Sequence, residues 1–180
     1  MKSHLLVLLL VSLWLWPALV IADEARWVQH MRAGVAAYQR GDDEEAVGQT
    51  EAALKEAEDF GEQDPLLATT LNNLAALYES LGRHGKAEPL YKRSLAIAEK
   101  ALGPEHPDLA AILNNLAGLY QAQGRIGEAE PLFKRALAIW EQALRPEHPY
   151  VDIALNNLAA LYRTQGRNDE AERLLREHGQ

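Results

Sequence analysis

Leu71-Asn72-Asn73-Leu74-Ala75-Ala76-Leu77-Tyr78 reads LNNLAALY, and the pattern returns as LNNLAGLY at Leu113–Tyr120 and as LNNLAALY at Leu155–Tyr162. Leu71, Leu74, Ala75 and Tyr78 stand at i, i+3, i+4 and i+7, which puts four apolar side chains on one face of an α-helix. The two amides follow Leu71 and fall beside that stripe. Each copy lies 42 residues from the last, so the chain is predicted to be a stack of one repeated unit.

The wider alignment supports this. Leu66–Pro107 and Asp108–Pro149 are identical at 28 of 42 positions without a gap. A third copy begins at Tyr150 and ends with the chain after 31 residues. A divergent copy lies upstream, where Gly41, Ala46 and Ala57 correspond to Gly82, Ala87 and Ala98. Five segments are expected: 1–22, a signal peptide; 23–64, a divergent first repeat; 65–106 and 107–148, two full repeats; and 149–180, a shortened last repeat.

Each unit reads as two helices. Gly82 ends the first, and Ala87, Leu90, Tyr91, Ser94, Leu95 and Ala98 form the stripe of the second. Gly103-Pro104 stops that helix, and Pro107 suits the first turn of the next, where a missing N–H costs nothing. Asp64-Pro65 makes the same junction with a better N-cap. Pro89 and Pro131 fall early in second helices, where a small bend or a first-turn position is expected. One such hairpin cannot bury its apolar stripe alone, but stacked hairpins can. Ala75, Ala117 and Ala159 mark one close approach between helices, and Ala87, Ala129 and Ala171 another.

The succession LNNLAALY…GR…AEPLYKRSLAI…LGPEHP resembles the tetratricopeptide repeat, in the 42-residue form of kinesin light chains and many bacterial proteins. The resemblance covers about Arg26–Gln180. It implies an all-α fold, a right-handed superhelical solenoid of antiparallel helix hairpins, whose first helices line an inner groove. It also implies that Asn73, Asn115 and Asn157 form a ladder along that groove, where amides of this family hydrogen-bond the backbone of a bound peptide. An amide both donates and accepts, and it carries no charge to desolvate. The first amides, Asn72, Asn114 and Asn156, are candidates for the same role. A plainer reading stands beside it: one amide of each pair bonds a neighbouring helix and holds the stack in register.

Selectivity would come from the variable groove positions Glu79, Ser80, Gln121, Ala122, Arg163 and Thr164, with Ala76, Gly118 and Ala160 clearing space. Gln121 and Arg163 complete the candidate peptide-binding set. Arg163 alone could meet a ligand carboxylate, and the competing reading makes it a solvated surface residue. Trp140 follows Ile139 on a second helix and reads equally as an outer-face or a core residue.

Composition narrows the chemistry. The chain has no cysteine, which removes disulfides, thiolate nucleophiles and Cys-based zinc sites together. Its net charge of −8 comes with no basic cluster, so a nucleic-acid partner is not expected. No HExxH, Gly-rich phosphate loop or GxSxG occurs. His106 and His148 sit in Glu-His-Pro loops that repeat with the period, which points to loop geometry before a metal. No cofactor, no metal and no enzymatic activity are expected.

Met1–Ala22 has a positive Lys2, an apolar run Leu5–Trp16, the breaker Pro17 and a Val-Ile-Ala site before Asp23. These are the parts of a secretory signal peptide. Ser3–Ala22 also carries no formal charge over twenty residues, so an uncleaved membrane anchor is the alternative. Either way the remainder is expected to be exported, periplasmic or secreted. No cysteine follows the run, so a lipid-anchored bacterial lipoprotein is excluded.

The expectation is therefore an exported, non-catalytic scaffold that binds a peptide or protein in its groove. The alternative is a structural or assembly subunit that self-associates as a homo-oligomer. Its contact would be the open C-terminal end, where Leu174 and Leu175 have no following helix to cover them.

Overall fold

The computed structural model describes residues 24–178. The predicted signal segment, residues 1–22, lies outside the described residues. Among the described residues every regular element is an α-helix. We number them α1 (24–40), α2 (Asp43–Asp59), α3 (Pro65–Ser80), α4 (His84–Leu102), α5 (Pro107–Ala122), α6 (Ile126–Ala143), α7 (Pro149–Thr164) and α8 (Asn168–His178). None is long and apolar enough to cross a membrane. The chain forms two compact units, divided after Glu62.

The first unit is the α1–α2 hairpin. Its core is small: Ala37, Ala46, Ala53 and Ala57 are fully buried. Small residues let the helices approach closely. A Cβ on Gly34 would lie 2.8 Å from the Thr50 hydroxyl, so only glycine fits there without a shift. His30 bonds Gln49 at 2.9 Å, and Arg26 pairs with Glu56 at 3.0 Å, closing the two sides of the hairpin.

The second unit holds three hairpins, α3–α4, α5–α6 and α7–α8. Each second helix packs on the next first helix, and α3, α5 and α7 also adjoin in order. The predicted stripe is the core: Leu71, Leu74, Ala75 and Tyr78 are buried, and their counterparts in α5 and α7 are buried too. Ala75, Ala117, Ala159, Ala87, Ala129 and Ala171 have no exposed surface. A fully buried leucine stabilises the fold by roughly 1.5–3 kcal/mol. Repetition of the stripe therefore supplies a continuous core that no single hairpin could.

Local chemistry sets the helix ends. Pro65, Pro107 and Pro149 occupy the first helical positions of α3, α5 and α7. The Asp64 side chain accepts from the Leu66 N–H at 2.7 Å, a cap that contributes about 1 kcal/mol. His106 and His148 do the same work with Nδ1, accepting from the Asp108 and Tyr150 N–H groups at 3.2 Å. The Glu-His-Pro loops are thus helix starts. Gly82 turns the chain out of α3 with φ +68°, a conformation that side chains resist.

Two expectations are refined. α4 begins at His84, three residues before the predicted apolar stripe, because the turn at Gly82 lets the helix start at once. Pro89 and Pro131 lie inside α4 and α6, beyond the first turn, and both helices continue through them. The residue four before each proline is a glycine, Gly85 or Gly127.

Candidate functional site

The paired amides lie along the α3–α5–α7 layer, half-buried except for the exposed Asn156. The repeat spacing brings them together across helices. Asn115 Nδ2 donates to Asn72 Oδ1 at 3.1 Å, and Asn157 Nδ2 donates to Asn114 Oδ1 at 2.9 Å. In the α5 and α7 copies the second amide therefore reaches back to the first amide of the repeat before it. Asn72 Nδ2 also donates to Asn73 Oδ1 at a long 3.4 Å. Asn156 has no later repeat among the described residues and turns to its own helix, donating to the Asp152 carbonyl at 2.8 Å.

Among the described residues only the Asn114–Asn115 pair uses both amides between helices; Asn73 and Asn156 bond within their own helices. These bridges use one N–H of Asn115 and of Asn157. Their Oδ1 atoms accept no bond from the described residues, and both side chains are half-buried at the face. A side-chain amide has two donors and an acceptor, so each bridge leaves an acceptor and a donor without a partner among the described residues.

Beyond the amides the face carries small groups, with the charged Glu79 and Arg163 toward the helix ends. Ala76 and Gly118 are half-buried, while Ala122, Ala160 and Thr164 are exposed. Glu79 is held in place: the Tyr91 hydroxyl donates to its Oε2 at 2.7 Å. Its Oε1 lies 3.8 Å from where a Cβ on Gly118 would stand. Burial, and then the bond to Glu79, push the Tyr91 hydroxyl well above the usual phenol range, so it remains a donor. The repeat changes this pair together. Gln121 and Phe133 occupy the Glu79 and Tyr91 positions in the second copy, and Arg163 and Leu175 in the third. Where the hydroxyl is lost, the carboxylate is lost with it. Gln121 is half-buried and Arg163 is exposed.

A notch of about 190 Å³ opens beside Asn72, lined by Pro65, Thr69, Ala98, Leu102, Asp108 and Ala111 among others. It lies at the junction of the first two repeats of this unit. The equivalent place at the next junction is filled by Trp140. That indole is 2% exposed, donates to the Pro107 carbonyl at 3.1 Å and stacks on Tyr150 with ring centroids 5.3 Å apart. Trp140 is therefore a core residue.

A further set of contacts joins successive repeats. Arg125 lies over the Tyr120 ring at 4.0 Å, pairs with Glu128, and reaches Glu88 of the previous repeat at 2.7 Å. Arg167 repeats the arrangement with Tyr162, Glu170 and Glu130, the last at 2.9 Å. Hydrogen bonds from Arg125 and Lys92 hold the Glu88 carboxyl down at about 2. The bond from Lys134, with that from Arg167, lowers Glu130 in the same direction. Sequence reasoning missed these rivets. The signal was present: Arg83, Arg125 and Arg167 follow a glycine in the three later copies, and Glu88 and Glu130 precede a proline.

Known proteins place this architecture. The tetratricopeptide-repeat profile matches residues 24–100, 66–142 and 108–178. A Podosopora anserina protein described as a kinesin light chain with nearly identical TPR-like repeats superposes with a TM-score of 0.77. It is 31% identical, with 84% of this chain and 72% of that one covered. BtubC (BKLC) from P. vanneervenii gives a TM-score of 0.76 at 26% identity, covering 83% of this chain and 60% of that one. A Rap protein solved with Competence and Sporulation Factor shares the fold alone: TM-score 0.75, 18% identity, covering 87% and 42%. No curated protein matches the sequence significantly. With the repeat profile spanning 24–178 and the solenoid geometry alike, the chain belongs to the tetratricopeptide-repeat family, in its kinesin-light-chain-like form.

Proposed function

We propose that the chain is an exported, non-catalytic scaffold that holds a peptide or protein segment in extended form along the α3–α5–α7 face. The observation that carries this reading is the amide ladder. Asn115 and Asn157 are fixed by bonds to Asn72 and Asn114, yet the Oδ1 of each accepts no bond from the described residues. Fixed amides can bond a ligand backbone without ordering cost at the moment of binding. Gln121 and Arg163 stand beside them, and Ala122 and Ala160 leave the face open to a chain. Export rests on the Met1–Ala22 segment of the sequence.

The test should block the face without disturbing the stack. Asparagine substitutions would also remove bridges between repeats, whereas Ala122 and Ala160 are exposed. The double variant Ala122→Arg, Ala160→Arg is expected to keep the wild-type melting profile. It should lose a partner that wild type crosslinks in its native compartment, with wild-type crosslinks mapping to α3, α5 and α7. Equal capture by both proteins would refute the groove reading.

A second reading, assembly through the C-terminal end, draws on Leu174 and Leu175. Both are only half-buried on α8. Sedimentation of wild type against Leu174→Ser, Leu175→Ser decides it: a concentration-dependent oligomer lost in the variant supports assembly, and a wild-type monomer removes it.

A further inference from the structure

The positions occupied by Glu79, Gln121 and Arg163 are equivalent, each 42 residues from the next, at the C-terminal ends of α3, α5 and α7. Along the face they run negative, neutral, positive. Glu79 is pinned by the Tyr91 hydroxyl, with its other oxygen over the bare backbone of Gly118. That glycine replaces the alanine found at the same place in α3 and α7, Ala76 and Ala160. Arg163 is exposed and makes no ion pair among the described residues. Of the arginines in the following turns, Arg125 and Arg167 are held over Tyr120 and Tyr162 by glutamates of the second helices, and Arg83 after α3 is exposed.

We infer that the face is electrically polar, and that the segment it binds carries a basic side chain at the Glu79 end and an acidic one at the Arg163 end. This rests on the groove reading above and adds the charge pattern of the ligand. Packed helices lie about 8–10 Å apart, so two steps from α3 to α7 span roughly 20 Å. An extended chain advances about 3.3–3.6 Å per residue. The two charges should therefore be about six residues apart, with uncharged residues between them facing Gln121. Exposed charge pairs are individually weak, so the pattern acts on selectivity and direction more than on affinity. The asparagine ladder reads the backbone, and the two end charges choose which way the chain lies.

The experiment is selection from a displayed library of random twelve-residue peptides on the full chain, counted against the face-blocked variant Ala122→Arg, Ala160→Arg. Enriched peptides should carry Lys or Arg and Asp or Glu about six positions apart, each matched charge improving binding about two- to fivefold at low salt. Glu79→Gln should erase the basic preference alone, and Arg163→Gln the acidic preference alone. The charge-reversed variant Glu79→Arg, Arg163→Glu should select the pattern in the opposite order along the peptide. Circular dichroism checks that each variant is as helical as wild type, and the two glutamine variants suffice if the reversal does not fold. Enrichment over the blocked variant with no charge pattern would overturn the polarity and leave the groove standing. No enrichment over the blocked variant would overturn both.

Discussion

The two junctions between repeats in the second unit have the same backbone plan and opposite contents. Where α4 meets α5, Ala98 faces Asp108 and a notch of about 190 Å³ is left. Where α6 meets α7, Trp140 and Tyr150 stack at 5.3 Å and the indole N–H takes the Pro107 carbonyl. At the first junction the matching Pro65 carbonyl is taken instead by the Thr69 hydroxyl at 3.0 Å. Thus 28 identical positions in 42 maintain one solenoid, and a few of the remaining ones decide where it is solid and where it is open. Repeat proteins can vary such sites because each unit contacts only its neighbours.

The sharpest way to break this comparison is Trp140→Ala, which should make the second junction resemble the first. Removing a buried tryptophan costs about 3–5 kcal/mol, and a urea titration should show a loss of that size. A loss below about 1 kcal/mol would mean that the indole does not carry the junction. The converse transplant gives the first junction the residues of the second: Thr69→Ala, Ala98→Trp, Asp108→Tyr, Ala111→Ile and Ile112→Ala. It should raise stability by about 1 kcal/mol, the size of an aromatic pair's contribution, and abolish the notch.

The amides offer a comparison of similar size. Asn115 bridges two repeats, whereas Asn156 bonds only its own helix. Alanine at either place gains the same helix propensity. Asn115→Ala should therefore be the less stable by about 1 kcal/mol, one net hydrogen bond. Equal midpoints in chemical denaturation would show that the bridge contributes nothing.

Smaller again is Gly118→Ala. The new Cβ would meet only Glu79 Oε1 at 3.8 Å, an ordinary contact, and alanine is the residue of Ala76 and Ala160 at the same place. A stabilisation of about 0.5–1 kcal/mol follows from helix propensity, measurable as a higher Tm.

The gentlest effect is on pH. Glu88 has an ordinary value of 4.5 and is held at about 2 in the fold, chiefly by Arg125. A carboxyl lowered by folding stabilises fully above its unfolded value, and that contribution is lost as pH falls from about 4.5 through about 2. Over that window Tm should fall more steeply for wild type than for Glu88→Gln. Parallel curves would sink the assignment.

Legibility differed between core and site for a physical reason. The stripe of Leu71, Leu74, Ala75 and Tyr78 was readable because helical periodicity and burial are one fact expressed twice. Pro107 and Gly82 were readable because each has a conformational requirement of its own. Trp140 was not, since its neighbours in sequence leave both faces of α6 open to it. Its partner carbonyl belongs to Pro107, thirty-three residues away. The pairing of Tyr91 with Glu79 crosses from α4 to α3, and no local pattern reports a bond between helices.

By itself the sequence determined the class of the molecule: an all-α stack of hairpins with a period of 42, its helix starts, its buried alanines and its amides at the edge of the stripe. These follow from spacing along one chain. The tertiary structure decided how those groups are used. It joined Asn115 to Asn72 and Asn157 to Asn114, placed Arg125 on Glu88, filled one junction with Trp140 and left the other open. Each of those outcomes depends on which residues of neighbouring repeats come within about 3–4 Å in three dimensions, the reach of hydrogen bonds and van der Waals contact.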